Sequence, residues 1–259
     1  MLATAQLPRR LGHGEKAALV EHLEELRARL FVVLAACALT SALAFAFHSH
    51  ILAWLNHPLP ADNRKTVTLG VAEPFTVSLT VSLWAGFLLS LPITLWQLWG
   101  FFAPAVQPRF ERKALGLVVV ATALGLAGLA FGYLILLPRA IHFLTNYDNQ
   151  HFTHLIQARP YYSFVTTILV GIIAIFELPI VVLGLVRTGV LTSRTLRSNR
   201  RTGYAITAVI ALALPGPDLY TTLLELLPMW VLFEASIWLA VVVERGATAN
   251  SEPESVVVT

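Results

Sequence analysis

The sequence has little charge and almost no cysteine for its length. Only 13% of its 259 residues are Asp, Glu, Lys or Arg, against about 25% in soluble domains, and 56% are hydrophobic. The single cysteine, Cys37, has no partner in the chain, which excludes an internal disulfide and a thiolate metal site. These shortages argue against a water-soluble domain, and the mean hydropathy of +0.70 predicts a polytopic membrane protein.

Motifs for covalent or metal catalysis are also missing. No pair of histidines has the four-residue spacing and neighbouring Glu of a metalloprotease helix, and there is no G-x-S-x-G motif, phosphate loop or cysteine cluster. The basic residues fall at the ends of apolar runs rather than in a stripe with interleaved aromatics. We therefore expect no enzyme activity, no cofactor, no metal site and no nucleic-acid partner.

Six apolar runs predict six transmembrane helices in an all-α fold. The runs are residues 30–47, 75–100, 114–137, 161–186, 203–214 and 220–243. The first covers roughly 27 Å at 1.5 Å per residue, close to the thickness of the hydrocarbon core. The fifth is short, and the sixth is interrupted by Glu225, Pro228 and Glu234, so we expect the last two helices to be short.

The distribution of Lys and Arg predicts the orientation of these helices. With six spans both termini lie on one side, which then carries 14 basic residues against four on the other. The positive-inside rule assigns the richer side to the cytoplasm. We expect a cytoplasmic segment 1–29 with an amphipathic helix, a six-helix transmembrane domain 30–243, and a disordered cytoplasmic tail 244–259.

Acidic residues occur on the cytoplasmic side, where bases are the rule. Glu21, Glu25 and Arg29 share one face of a predicted helix that runs into the first span. One interpretation is a solvated face with weak i, i+4 ion pairs. The other is an acidic surface that receives a basic peptide through guanidinium contacts, which Glu111 in the loop after the second span could join.

The fourth apolar run contains one formal charge. Residues 160–186 are long enough to cross the bilayer and carry Glu177 as their only formal charge, and Pro179 is expected to bend the helix there. A carboxylate near mid-membrane costs about 2.5 to 3.5 kcal/mol on insertion scales. Glu177 is therefore either a structural acid, bonded to a neighbouring helix or kept protonated by the hydrocarbon around it, or a functional acid for binding, cargo passage or proton handling. Glu234 has the same two interpretations, and Glu225 lies about 180° from it around the helix.

A series of short motifs resembles the TatC family, the core subunit of the twin-arginine protein translocase. The first, residues 22–30, precedes the first span and reads HLEELRARL. The later motifs are Glu73-Pro74-Phe75, Phe101-Phe102-Ala103-Pro104 with Glu111-Arg112, Phe176-Glu177-Leu178-Pro179, Pro217-Asp218, Pro228-Met229 and Leu232-Phe233-Glu234. Their order along residues 20–243 carries the resemblance.

The resemblance implies a concave six-helix bundle that binds twin-arginine signal peptides at its cytoplasmic face. The translocase would export folded proteins across a prokaryotic plasma (inner) membrane with the proton-motive force. Residues implied in peptide binding are Glu25, Glu111, Phe102, Pro104, Leu23 and Arg27. Glu177 and Glu234 would be intramembrane polar residues. Residues implied in docking TatA or TatB, single-span partners, are Met229, Thr222, Asp218 and Phe233.

Two further expectations complete this interpretation. The resemblance implies a homo-oligomer within the complex, embedded in the lipid bilayer. The alternative function is a proton-coupled small-solute transporter with Glu177 as its relay. The absence of an internal repeat argues against that alternative.

Overall fold

The structure is a computed structural model and describes residues 19–60, 65–102, 114–147, 151, 155–187, 189–214 and 219–248. Within these ranges the chain is helical, as predicted. The helices are α1 (Leu19–Ala46), α2 (His48–Asn56), α3 (Glu73–Phe102), α4 (Ala114–Phe131), α5 (Leu137–Asn146), α6 (Ala158–Phe176), α7 (Leu178–Arg187), α8 (Ser193–Ser198), α9 (Arg200–Ala213) and α10 (Leu219–Thr248). A π-helical turn, Gly132–Leu136, joins α4 to α5.

Five stretches of the described residues are long and apolar enough to cross a membrane. They are Glu24–Ala46, Glu73–Phe101, Leu115–Asn146, Ala158–Arg187 and Leu219–Glu244. The chain is therefore a multi-pass membrane protein. The predicted fifth span falls in α9, whose 14 residues cover only about 21 Å of a hydrocarbon core roughly 30 Å thick. The count of six spans stays a prediction.

The expectation of a short last helix is wrong. α10 is a single helix of 30 residues with Pro228 inside it. A proline removes one backbone hydrogen bond, and membrane helices tolerate it because neighbouring groups satisfy the freed carbonyl. The apolar sequence on both sides of Pro228 therefore continues one helix instead of ending it.

One compact unit of the chain comprises Met1–Ala123 and Leu155–Thr166. Within it α1 packs along α3. The hydroxyl of Thr40 on α1 donates a hydrogen bond to the carbonyl of Gly86 on α3 at 2.7 Å. A methyl group at position 86 would clash with Ser41, so a glycine is required for this close approach. The contact holds the two helices close together at this point.

Glu73 organises one end of this unit. Its carboxylate accepts hydrogen bonds from the backbone N–H groups of Leu69 at 2.8 Å, Gly70 at 3.2 Å and Arg159 at 3.0 Å. The acid therefore fastens both the segment that precedes α3 and the start of α6 to the first residue of α3. This gives the Glu73-Pro74-Phe75 motif a structural role.

The other compact unit comprises Leu124–His154 and Thr167–Thr259. Within it the second half of α4 packs on the end of α6, where a methyl group at Gly128 would lie 2.9 Å from the ring of Phe176. That ring also lies 5.9 Å from the ring of Phe131, centroid to centroid. α9 meets α10 at Gly203, where an added methyl would clash with Phe233. Small residues thus set the helix spacing, as is common in membranes.

Candidate functional site

Glu25 lies on α1 and is bound to a guanidinium of the same helix. Its Oε1 accepts hydrogen bonds from Arg29 Nη2 at 2.6 Å and from Arg29 Nε at 2.9 Å. The glutamate is 7% exposed. The sequence predicts that Glu25 is exposed, either as a binding residue or in a solvated i, i+4 pair. The structure shows that this prediction of exposure is wrong. The ion pair forms, but it is largely removed from solvent.

Two residues of α3 complete the environment of Arg29. Its Nη1 donates to Gln97 Oε1 at 3.2 Å. A methyl group added at Gly100 would clash with the same Nη1, so the guanidinium lies directly against the backbone of α3. The Arg29 side chain is consequently only 14% exposed. Because α3 covers one side of α1 here, Glu25 is buried despite its position near the end of the helix.

The other residues assigned to peptide binding divide into two groups. Arg27 is exposed on α1, with its guanidinium 5.7 Å from the centroid of the Phe31 ring. Glu111 and Pro104 lie outside the described residues, as do the side chains of Leu23 and Phe102. The described part of the candidate site is therefore the Glu25 pair with its α3 neighbours, together with Arg27.

Glu177 is the single residue between the end of α6 and the start of α7. Its backbone carbonyl accepts from Ile180 and Val181 N–H groups, so the chain continues through a short break in the helix next to Pro179. The side chain is 9% exposed, and neither carboxylate oxygen has a hydrogen-bond partner among the described residues. A methyl group at Gly125 on α4 would lie 3.0 Å from Oε1, so this glycine leaves room for the acid.

The absence of a partner in the described residues bears on the two interpretations of Glu177. A structural acid bonded to a neighbouring helix would show a donor within about 3.2 Å of an oxygen. No such donor is present in the parts of the chain that the structure describes. This geometry argues against the bonded structural acid. Two alternatives stay open: an acid kept protonated by the hydrocarbon around it, or an acid that binds a proton, a ligand or a polar group of another chain.

One face of α10 is polar and buried. Glu225 and Met229 are each 1% exposed, and Thr222 on the same face is also buried. Within the described residues Glu225 has no hydrogen-bond partner at either oxygen. Phe233 is half-buried, and Asp218 lies outside the described residues. A partner helix meeting this unit would not reach Met229 or Thr222 without a rearrangement.

Glu234 has a different environment from Glu225, as their separation around the helix predicted. Its carboxylate accepts from Arg200 Nη2 at 3.0 Å and from the Tyr204 hydroxyl at 2.5 Å, both on α9. The Arg200 side chain is 44% exposed and that of Glu234 is 29% exposed. Glu234 is therefore a partly exposed acid that ties the middle of α10 to the first turns of α9.

Sequence reasoning missed four of the residues that shape these sites. Gln97 and Gly100 are about 70 positions from Arg29 in the chain, and no local pattern links them. Arg200 entered only as one of the basic residues that predict the orientation of the helices, and no pattern in the sequence indicates a role for Tyr204. The one available signal was the i, i+4 spacing of Glu25 and Arg29, which predicted the pair correctly.

The fold and these sites define a class: a multi-pass helical membrane protein with buried acids and no metal-binding cluster of His, Cys, Asp and Glu in its described residues. Residues 21–228 match the family described as Sec-independent protein translocase protein (TatC). The chain belongs to the TatC family, which confirms the resemblance.

Relatives and solved structures agree over nearly the whole chain. The protein is 35% identical over 227 residues to Sec-independent protein translocase protein TatCd of Bacillus subtilis, covering 88% of this chain and 93% of that one. It is 34% identical to TatC of Aquifex aeolicus, covering 88% and 96%. It superposes with a TM-score of 0.75 on a crystal structure described as twin arginine translocase receptor TatC in DDM, at 32% identity and 85% and 99% coverage.

Proposed function

We propose that this protein is the receptor for twin-arginine signal peptides and the core subunit of a translocase that exports folded proteins with the proton-motive force. Membership of the TatC family and likeness to a solved twin-arginine translocase receptor support the proposal. The observation that carries it furthest is chemical. Glu25 binds a guanidinium group, that of Arg29, with two hydrogen bonds to one oxygen, and a peptide arginine would take the place of Arg29.

A signal-peptide arginine offers the same group that Glu25 holds in Arg29. Charge-assisted hydrogen bonds from a guanidinium to a carboxylate are among the strong polar contacts in proteins, and burial strengthens them. Glu111 would hold the second arginine, while Phe102, Pro104, Leu23 and Arg27 would shape the surface around the peptide. The apolar part of the peptide would lie along a hydrophobic groove.

We further propose that Glu177 acts after the peptide is captured. Its unsatisfied carboxylate suits a proton or a polar group that arrives from another chain. We assign the docking of TatA or TatB to the region of Met229, Thr222, Asp218 and Phe233. Because Met229 and Thr222 are buried, such a partner would first meet the exposed apolar side chains of α10. These are Leu223, Leu227, Trp230 and Val231.

The remaining assignments follow from the same proposal. The protein would act in a prokaryotic plasma (inner) membrane as part of a homo-oligomeric complex, and it would bind cargo without catalysing a reaction. The alternative of a proton-coupled small-solute transporter finds no support in the family to which the chain belongs.

The direct test is binding of a fluorescent Arg-Arg peptide to the full chain in nanodiscs. Glu25→Gln removes the charge and leaves the side-chain shape, so we expect the dissociation constant to rise at least about tenfold. Glu24→Gln is the matched control, because Glu24 is the adjacent acid and is exposed. Equal affinities in both variants and the wild type would place the receptor site elsewhere.

A further inference from the structure

Arg29 occupies a small guanidinium pocket within the unit that contains α1 and α3. The pocket has an acidic acceptor, Glu25 Oε1, and a neutral acceptor, Gln97 Oε1, which bind different nitrogens of the group. Gly100 forms one wall, where any side chain would displace the guanidinium. The pocket is thus shaped for a planar group with several donors, which an ammonium group would not satisfy.

We propose that Arg29 is an internal competitor that closes this pocket until an arginine of the ligand replaces it. The inference rests on the proposed function and adds a step to it. In the closed state Glu25 Oε1 receives two N–H groups from Arg29, so a ligand guanidinium cannot reach that oxygen with the same geometry. Binding therefore exchanges one guanidinium for another.

The exchange is electrostatically reasonable because the charge in the pocket does not change. Breaking a buried ion pair is costly when one partner is left alone, and here the arriving arginine takes over the carboxylate at once. The released Arg29 lies in the first half of α1 and has a long flexible side chain, which can extend its charged head toward the membrane surface while its stem stays on apolar surface. Gln97 is free to bond to the arginine that enters.

Competition of this kind lowers affinity without changing the ligand preference. If the pocket is closed for about nine-tenths of the time, the apparent dissociation constant is about tenfold higher than that of the open pocket. The factor is the same for every ligand that must displace Arg29. The consequence is that every such ligand needs about a tenfold higher concentration to occupy the pocket.

The first experiment tests the pocket alone. Arg29→Ala, prepared as the full chain in nanodiscs, leaves Glu25 without its guanidinium, so we expect a lower midpoint of thermal unfolding. Millimolar methylguanidinium should restore a large part of that loss, because it fits the vacated pocket. Methylammonium at the same concentration should not. Equal stabilisation by the two ions would contradict a pocket that is selective for guanidinium.

The second experiment measures Arg-Arg peptide affinity for variants that open the pocket. Arg29→Lys keeps the charge but loses the two-nitrogen contact, and Gly100→Ala pushes the guanidinium away without removing a polar group. Both should bind the peptide about tenfold more tightly than the wild type. Gly116→Ala is the control, because the space around Gly116 is open. A Lys-Lys peptide should stay the weaker ligand in every variant, because an ammonium group does not satisfy both acceptors of the pocket.

The outcomes separate the inference from the proposed function. A wild-type chain that binds no Arg-Arg peptide overturns the proposed function. If the wild type binds the peptide, and Arg29→Lys and Gly100→Ala bind it no more tightly, only the proposed displacement of Arg29 is overturned. If Arg29 had only a structural role, both variants would bind the peptide more weakly than the wild type. A gain in peptide affinity therefore distinguishes the displacement from a structural role.

Discussion

Glu25 and Glu177 are buried to nearly the same extent but differ in their partners. They are 7% and 9% exposed, respectively. Glu25 receives two hydrogen bonds from Arg29, whereas Glu177 has no hydrogen-bond partner among the described residues. Burial alone therefore does not distinguish an acid with a donor inside its own unit from an acid that has none among the described residues. The presence or absence of a donor does.

The difference predicts opposite effects on stability. Removing an acid from a buried pair leaves the cation uncompensated, which costs more than the pair itself contributed. Removing an acid that has no partner eliminates a desolvated polar group, which is favourable when an apolar side chain of similar size replaces it. Each of the following measurements tests one side of this contrast.

The largest expected effect is on the Glu25 pair. Glu25→Leu should lower the free energy of unfolding by about 3 kcal/mol, because the Arg29 guanidinium loses its carboxylate in a buried position. Adding Arg29→Met should recover most of that loss, since both charged groups are then gone. Thermal and denaturant unfolding of the full chain in detergent would measure the cycle.

Arg-Arg peptide binding provides the control for this cycle. The double variant should be stable and still fail to bind the peptide, because the acceptor is absent. Additive losses from Glu25→Leu and Arg29→Met, with no coupling between them, would contradict a buried pair.

Glu177→Leu should change the free energy of unfolding in the opposite direction. We expect the free energy of unfolding to rise by about 1 to 3 kcal/mol, since an unsatisfied carboxyl group is replaced by an apolar one next to Gly125. Export of a folded reporter should be lost, while capture of the Arg-Arg peptide at Glu25 should persist. A fall in stability would show that Glu177 has a donor in the membrane, and loss of peptide capture would move the binding site to it.

These contrasts also show what the sequence can and cannot predict. The spacing of Glu25 and Arg29 predicted their pairing, because four residues bring two side chains together on any helix. It could not predict their burial, which depends on Gln97 and Gly100 of α3. Contacts between residues far apart in the chain leave no periodic signal in one helix.

The helices themselves were more predictable than their ends and contacts. Apolar runs of sufficient length identified five membrane-crossing stretches, since length and hydropathy are properties of the chain itself. The single helix α10 was not predicted, because Pro228 and Glu225 were interpreted as interruptions. Their tolerance depends on tertiary packing that buries Glu225 and supports the proline.

The smallest expected effect concerns Glu234, which is paired like Glu25 but more exposed. Because its partner Arg200 is 44% exposed, solvent screens their interaction, and Glu234→Gln should cost only about 0 to 1 kcal/mol. The coupling energy from a cycle with Arg200→Gln should shrink further as salt is raised, whereas the coupling in the Glu25 cycle should change little. A salt-independent coupling at Glu234 would mean that the membrane shields this pair, and exposure to solvent would then no longer separate it from Glu25.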